Sequence, residues 1–299
     1  IAPGVVGAGI YQINMVVDTI LVSLVGTGAI SWLYYANRLQ QLPLGVVGAA
    51  ISVALLPILS KQLKMQALEE SRQTQDKAVE YGALLSFPAA VLMIVLAHPV
   101  INILFEHGRF TATDTQMTAY AVVAYSVGLP CYVIVKALMP NFFARGDTVT
   151  PVKYSAVVFL TNFIFNLILM RPFGHVGIAA ATTIAAFVSL FQYIHGLKKR
   201  GFWQISGALG YKILKIIICS LVMGAAVYGA EYGLNLSIGS WLELGIILKL
   251  CILGGLGIFG LATFLILAKI TCVLDIAEIY RLMKKKRGAD AKKNAVGNN

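Results

Sequence analysis

Four ionisable side chains, Asp18, Arg38, Lys136 and Lys249, sit inside stretches otherwise apolar enough to enter a lipid bilayer. A charge at that depth costs roughly 2.5–3.5 kcal/mol by insertion scales, so it marks a bundle interior or a water-filled path unless it reaches the interface. Arg38 belongs to SWLYYANRLQQLPLGVVGAAISVALLPIL, residues 31–59, about a turn and a half into the apolar run and ahead of Pro43, Gly45 and Gly48. Two readings of it stand at this point. Its guanidinium either snorkels to the interface among Trp32, Tyr34 and Tyr35, or points into a cavity where its planar fork suits a phosphate or pyrophosphate. Lys136 lies deeper, in GLPCYVIVKALMP, between Pro130 and Pro140, which are expected to kink the helix. Lys249 lies near the start of the last apolar run and is expected to snorkel.

A second set is made of oxygens. Asn162 and Asn166 in LTNFIFNLIL are spaced i, i+4 and share a helix face, Thr182 and Thr183 follow on the next span, and Asp18 lies on the first. One carboxylate with several amide and hydroxyl oxygens is a donor set for a hard monovalent cation. The same side chains serve equally well as interhelical hydrogen bonds.

The elements that must position these groups follow from composition. The chain of 299 residues is 58% hydrophobic and 12% charged, and its apolar runs reach the ~20 residues that a helix needs to cross the hydrocarbon core, whereas a membrane β-barrel needs short alternating segments. The fold class is therefore an all-α polytopic membrane protein with about eight transmembrane helices, near 5–27, 32–58, 79–104, 115–143, 151–171, 175–197, 209–231 and 243–270. The intervening EESRQTQDKAVE, residues 69–80, is too polar to insert and reads as a loop or surface helix.

The net charge of +11 raises nucleic acid as a partner, and the placement of the charge answers it. With eight spans, sixteen lysines and arginines fall in the loops after spans two, four and six and in the C-terminal tail, against Arg109 and Arg171 on the other side. That asymmetry follows the positive-inside rule and predicts that both ends are cytoplasmic. Topology thus accounts for the charge, and the tail suits anionic lipid rather than nucleic acid.

Other chemistries find no support. Cys131, Cys219, Cys251 and Cys272 lie in or at the ends of apolar spans without paired ligand spacing and read as small packing residues. His98, His107, His175 and His195 are isolated from carboxylates at metal-ligand spacing, so no transition-metal site is expected. Gly255, Gly257 and Gly260 spell G-x-G-x-x-G inside the last span with no strand before them, and helix packing is the expected role. No serine elbow or paired carboxylates suggest hydrolysis or group transfer, and a transporter rather than an enzyme is expected.

Three stretches carry a resemblance: SWLYYANRLQQLPLGVVGAAISVALLPILSKQ (31–62), ILFEHGRFTATDTQMTAYAVVAYSVGLP (103–130) and VKALMPNFFARGDTVTPVKYS (135–155). They resemble the bacterial lipid II flippases of the MurJ/MviN type, within the multidrug/oligosaccharidyl-lipid/polysaccharide exporter superfamily, and the likeness extends over most of the chain. The resemblance implies fourteen helices in two six-helix lobes plus a final pair, with these eight spans matching the seventh to the fourteenth. Residues 1–197 would then be the second lobe, 198–273 the pair that forms a groove for the polyprenyl tail, and 274–299 a basic cytoplasmic tail. The opening IAPGVV, without methionine or a basic leader, fits a fragment lacking the first lobe.

The implied activity is transfer of lipid II, the undecaprenyl-pyrophosphate-linked muropeptide, from the inner to the outer leaflet of the bacterial inner membrane by alternating access. Implied partners are lipid II, membrane lipids and the N-terminal lobe. Arg38 matches the cavity arginine of the family's tyrosine-tyrosine-alanine-aspartate-arginine motif and is implied to bind pyrophosphate, with Asn37, Gln41 and Lys136 as cavity or gating residues. Asn37 stands where the family usually carries aspartate, which removes an ion-pair or orienting partner from Arg38. The oxygen set resembles a sodium site described for some members, mapping onto Asp18, Asn162, Asn166, Thr182 and the Ile178 carbonyl. Asn166 stands where a carboxylate occurs, which predicts weakened sodium affinity, and no other cofactor is implied. The alternatives are an exporter of another polyprenyl-linked glycan or a small cation, or an inert truncated product.

Overall fold

The computed structural model describes residues 2–272, apart from the side chains of residues 2–8, 10, 11 and 238; the tail expected at 274–299 lies outside the described residues. Every regular element among them is helical, as hydrocarbon demands of a backbone that must satisfy its own hydrogen bonds. In chain order these are α1 (Ala2–Ser23), α2 (Ala29–Pro43), α3 (Ala49–Lys64), α4 (Leu68–Val95), α5 (Ala97–Phe105), α6 (Ala112–Phe143), α7 (Val149–Lys199), α8 (Gly207–Ile238) and α9 (Ile246–Ile270). Six described helices are long and apolar enough to cross a membrane, counting α2 and α3 as one and the 51 residues of α7 as one.

The eight expected spans map onto these elements. Spans five and six are the two arms of α7, which meet at Gly174, where φ 57° and ψ −134° leave the helical region. A residue with a Cβ resists that conformation. The arms pack antiparallel: Gly196 lies against the Tyr154 hydroxyl, Asn162 bonds to Thr182, and Gly177 lies against the Leu169 carbonyl. Span two runs continuously from α2 through a π-helical stretch, Leu44–Gly48, into α3. Pro43 lies immediately before that stretch; it lacks an N–H and displaces the regular hydrogen-bond ladder, and the wider turn absorbs the displacement. Span three breaks at Leu96 into α4 and α5, whereas α6 continues through Pro130 and Pro140 as one element.

One expectation is corrected. Residues 69–80 form neither a loop nor a surface helix but the first turns of α4, with Ser71, Gln75, Ala78 and Val79 buried. The reason is a set of partners on α6: the Gln75 amide donates to the Ala137 carbonyl (2.9 Å) and accepts from Asn141 (3.1 Å), which in turn accepts from Arg145 (2.5 Å). Polar side chains enter a core when their hydrogen bonds are met there.

The same device recurs along α6, the most enclosed of the described long helices. Gln40, His175 and Thr183 bond to the carbonyls of Tyr125, Met117 and Ala124, at 2.9, 2.8 and 2.7 Å. Thr111 and Asp114 close its N-terminus with a capping box, and Asp114 also accepts from the Trp32 indole at 2.7 Å. Between α6 and α7, Arg200 pairs with Asp147 and donates to Thr150 (2.6 Å). Burial pushes the Asp147 carboxyl up, but bonds from the Thr150 amide and Arg200 outweigh it and hold its pKa at about 2.

The helices α8 and α9 pack beside α4. Lys212 pairs with Glu80 (2.8 Å), the Trp203 indole donates to Asp76 (2.6 Å), and Lys215 donates to the Thr271 carbonyl (2.9 Å). Gly224 admits Val91, and Gly260 admits Leu92 and Val227, whereas Gly255 and Gly257 touch nothing within 4 Å. Small-residue packing thus accounts for one glycine of the G-x-G-x-x-G and leaves the other two facing open space.

Candidate functional site

The oxygen-bearing residues Asp18, Asn162, Asn166, Ile178 and Thr182 meet at one place, between α1 and the two arms of α7. The Asn166 amide donates to Asp18 Oδ1 at 2.6 Å and to Asn162 Oδ1 at 2.9 Å. The Asn162 amide donates to Thr182 Oγ1 at 3.1 Å, and that hydroxyl donates to the Ile178 carbonyl at 3.0 Å. The hairpin at Gly174 sets Asn162 opposite Thr182 on the facing arm, and α1 closes the site from one side. Asn162 and Asn166 are buried, and Asn166 Oδ1 has no hydrogen-bond partner. An acceptor buried with no donor is costly unless something else fills the role.

Thr183 belongs elsewhere, since its hydroxyl donates to the Ala124 carbonyl. Two contributors escaped the sequence reading. Asn14 donates to Asp18 Oδ2 at 3.2 Å, and Tyr132 on α6 donates to the Thr182 carbonyl at 2.9 Å. The i, i+4 spacing of Asn14 and Asp18 repeats that of Asn162 and Asn166 and is the signal that could have found it. Nothing local marks Tyr132.

Arg38 lies exposed on α2. Its Nη2 donates to the Tyr34 hydroxyl at 3.1 Å, and its guanidinium carbon lies 4.9 Å from the centroid of the same ring. Among the described residues no carboxylate lies within ion-pair reach of it. Asn37 instead accepts from Gln41 Nε2 at 3.0 Å. The polar residues of this face are therefore satisfied along their own helix, each with the residue four positions away.

The half-buried Lys136 lays its aliphatic stem over Gly48 in the π-helical stretch, where a Cβ would come within 2.7 Å of the lysine Cδ. That stem reaches α2 and α3 only because position 48 has no side chain. Lys249 falls in the first turn of α9 and reaches Asn102 Oδ1 on α5 at 3.3 Å, so it ends on a protein partner as well as near a helix end. Asn102 in turn donates to Glu106 (2.8 Å). Cys131 and Cys219 are buried, Cys251 and Cys272 exposed, and all four are free. Among the described residues no three of His, Cys, Asp and Glu gather as a metal group.

Comparison with known proteins identifies the family. The family model described as lipid II flippase MurJ matches residues 1–286. A probable lipid II flippase MurJ from Rhizobium tropici is 33% identical over 97% of this chain and 54% of its own length. A probable lipid II flippase MurJ from Rickettsia prowazekii is 35% identical over 88% of this chain and 51% of its own. A solved lipid II flippase MurJ in an inward closed conformation aligns with a TM-score of 0.73 at 28% identity, over 88% of this chain and 51% of that one. An outward-facing multidrug resistance MATE family transporter of the MOP superfamily aligns at 0.57 with 18% identity, over 88% and 61%, which shows a shared fold. The chain spans about half the length of the curated relatives it matches. With six described helices long and apolar enough to cross a membrane and a family model that matches residues 1–286, the chain is a multi-pass membrane protein that belongs to the lipid II flippase MurJ family.

Proposed function

We propose that the protein to which these residues belong moves lipid II from the inner to the outer leaflet of the bacterial inner membrane, and that Arg38 binds its pyrophosphate. The observation that carries this reading is the guanidinium itself, exposed on α2 with one side-chain partner and no neutralising carboxylate among the described residues. A guanidinium has five N–H donors, and the Tyr34 hydroxyl takes one, leaving the rest for phosphate oxygens. Lys136, with its stem on Gly48, would add a second cation on the side of the π-helical stretch. Asn37 and Gln41 line the same face and would contact the headgroup or gate its entry.

In this reading residues 1–197 act as one transport lobe against a second, N-terminal lobe, rocking about the site, while 198–273 form the pair whose groove holds the polyprenyl tail among membrane lipids. Both ends of the chain would be cytoplasmic, as the basic loops favour. Nucleic acid has no place in this scheme, and transport without covalent chemistry accounts for the residues present.

The oxygen cluster fits a hard monovalent cation such as sodium. Asp18 supplies the carboxylate, Asn162, Thr182 and the Ile178 carbonyl supply neutral oxygens, and the buried Asn166 Oδ1 lacks a donor that a cation would replace. A bound ion would supply positive charge between α1 and the α7 hairpin.

The test is growth of cells depleted of their own flippase. The intact protein is expected to support growth and its Arg38→Ala variant to fail at equal membrane abundance; growth with Arg38→Ala would overturn the pyrophosphate role. Accumulation of a lipid-linked precursor other than lipid II on depletion of the protein would favour export of a different polyprenyl-linked glycan.

A further inference from the structure

No carboxylate among the described residues lies within ion-pair reach of Arg38, and a neutral neighbour holds it. Asn37 is engaged by Gln41, and the residue that holds Arg38 is Tyr34, through its hydroxyl at 3.1 Å and its ring face at 4.9 Å. Tyr34 has a second position of interest. With Asn37 it lines a cavity of about 130 Å³ whose other walls include Asp18 and Ile178 of the oxygen cluster. The cation-favouring cluster and the neighbours of Arg38 therefore open onto one space.

Resting on the reading of Arg38 as the pyrophosphate ligand, we propose that Tyr34 is a positioning residue that sets the pose of the Arg38 guanidinium and makes it sensitive to the charge at Asp18 across the shared cavity. The phenol holds the guanidinium by a charge-assisted bond and by the negative face of its ring. An uncompensated Asp18 carboxylate draws the guanidinium toward the cavity. A cation on the cluster cancels that pull and leaves Arg38 on Tyr34, with its remaining donors free. The two sites then communicate through a single side chain.

The experiment measures binding of undecaprenyl pyrophosphate to the intact protein by native mass spectrometry. Tyr34→Phe keeps the ring and removes the hydroxyl, and because Tyr34 is 52% exposed the variant is expected to melt with wild type. Its binding should weaken roughly 3–10-fold, as for loss of one ordinary hydrogen bond at an exposed site. Adding Asn37→Asp to Tyr34→Phe should restore binding, which a merely structural role for the hydroxyl would not allow. In a cycle of Tyr34→Phe with Asp18→Asn, the combined change should differ from the product of the single changes by at least about threefold. Wild-type binding by Tyr34→Phe alongside lost binding by Arg38→Ala overturns the role of Tyr34 and leaves that of Arg38 standing. Wild-type binding by Arg38→Ala overturns both. Independent, multiplicative effects of Tyr34→Phe and Asp18→Asn overturn the communication with Asp18.

Discussion

Two polar regions within the spans, the oxygen cluster and the Arg38 face of α2, are held in different ways. In the oxygen cluster, bonds within one helix are tied together by two that join distant parts of the chain, Asn166 to Asp18 across 148 residues and Asn162 to Thr182 across 20. On α2 the bonds of Arg38 and Gln41 reach only four residues back along the same helix. A group satisfied by distant partners holds elements together, and its loss is felt as stability. A group satisfied within its own helix holds nothing together and stays available to a ligand. The contrast separates a group that ties elements together from a face with hydrogen-bond donors to spare.

The comparison can be broken most forcefully at the hairpin that assembles the cluster. Gly177→Ala places a methyl group on the Leu169 carbonyl, a backbone atom that cannot swing away, and should cost about 3 kcal/mol by overpacking. Thermal unfolding of the purified intact protein measures it, and a melting temperature equal to wild type would show that the arms of α7 separate without penalty. Next in size, Asn166→Ala leaves Asp18 Oδ1 and Asn162 Oδ1 without their shared donor and should cost about 2 kcal/mol. The companion Asn166→Asp adds a second carboxylate and should enlarge the rise in melting temperature on exchanging potassium for sodium; the same response in both would leave the cluster as helix packing alone.

A smaller effect is expected at the turn that starts the hairpin. The Asp147 pKa of about 2 lies below the ordinary value near 3.9, so the folded state binds its proton less readily than the unfolded one. Its stabilisation is fully present above about pH 4 and is lost as the pH falls toward 2. The gap in melting temperature between wild type and Asp147→Asn should therefore close over that window, and a constant gap would assign the effect to packing. The smallest change is expected at Arg38, where Arg38→Ala should shift stability by less than about 0.5 kcal/mol while abolishing growth support. A large loss of stability there would place Arg38 in the framework and erase the contrast.

Much of the fold is legible in the linear chain because hydrocarbon imposes a length and an apolar composition on each span, and a polar pair four residues apart declares a common face. Asp18, Asn162, Asn166 and Thr182 were accordingly visible as candidates, and the resemblance added the Ile178 carbonyl. Residues 69–80 were misread because polarity alone argued for the surface, whereas Gln75 is buried by acceptors and donors on α6 that lie 62 and 66 residues away. Thr182 and its neighbour Thr183 were not separable in the sequence, since adjacent helical positions diverge by about 100° and which one faces the cluster depends on how the arm is rotated.

The sequence by itself determined that this protein spans a membrane many times and that a single arginine in span two has no acidic neighbour in the chain. Hydropathy and helical periodicity act locally, so they survive without coordinates. The tertiary structure alone decided that the oxygens of three separate spans converge, that Lys136 rests on Gly48, and that Tyr34 and Asp18 line one cavity. Those are contacts between elements, and they follow from how the helices pack.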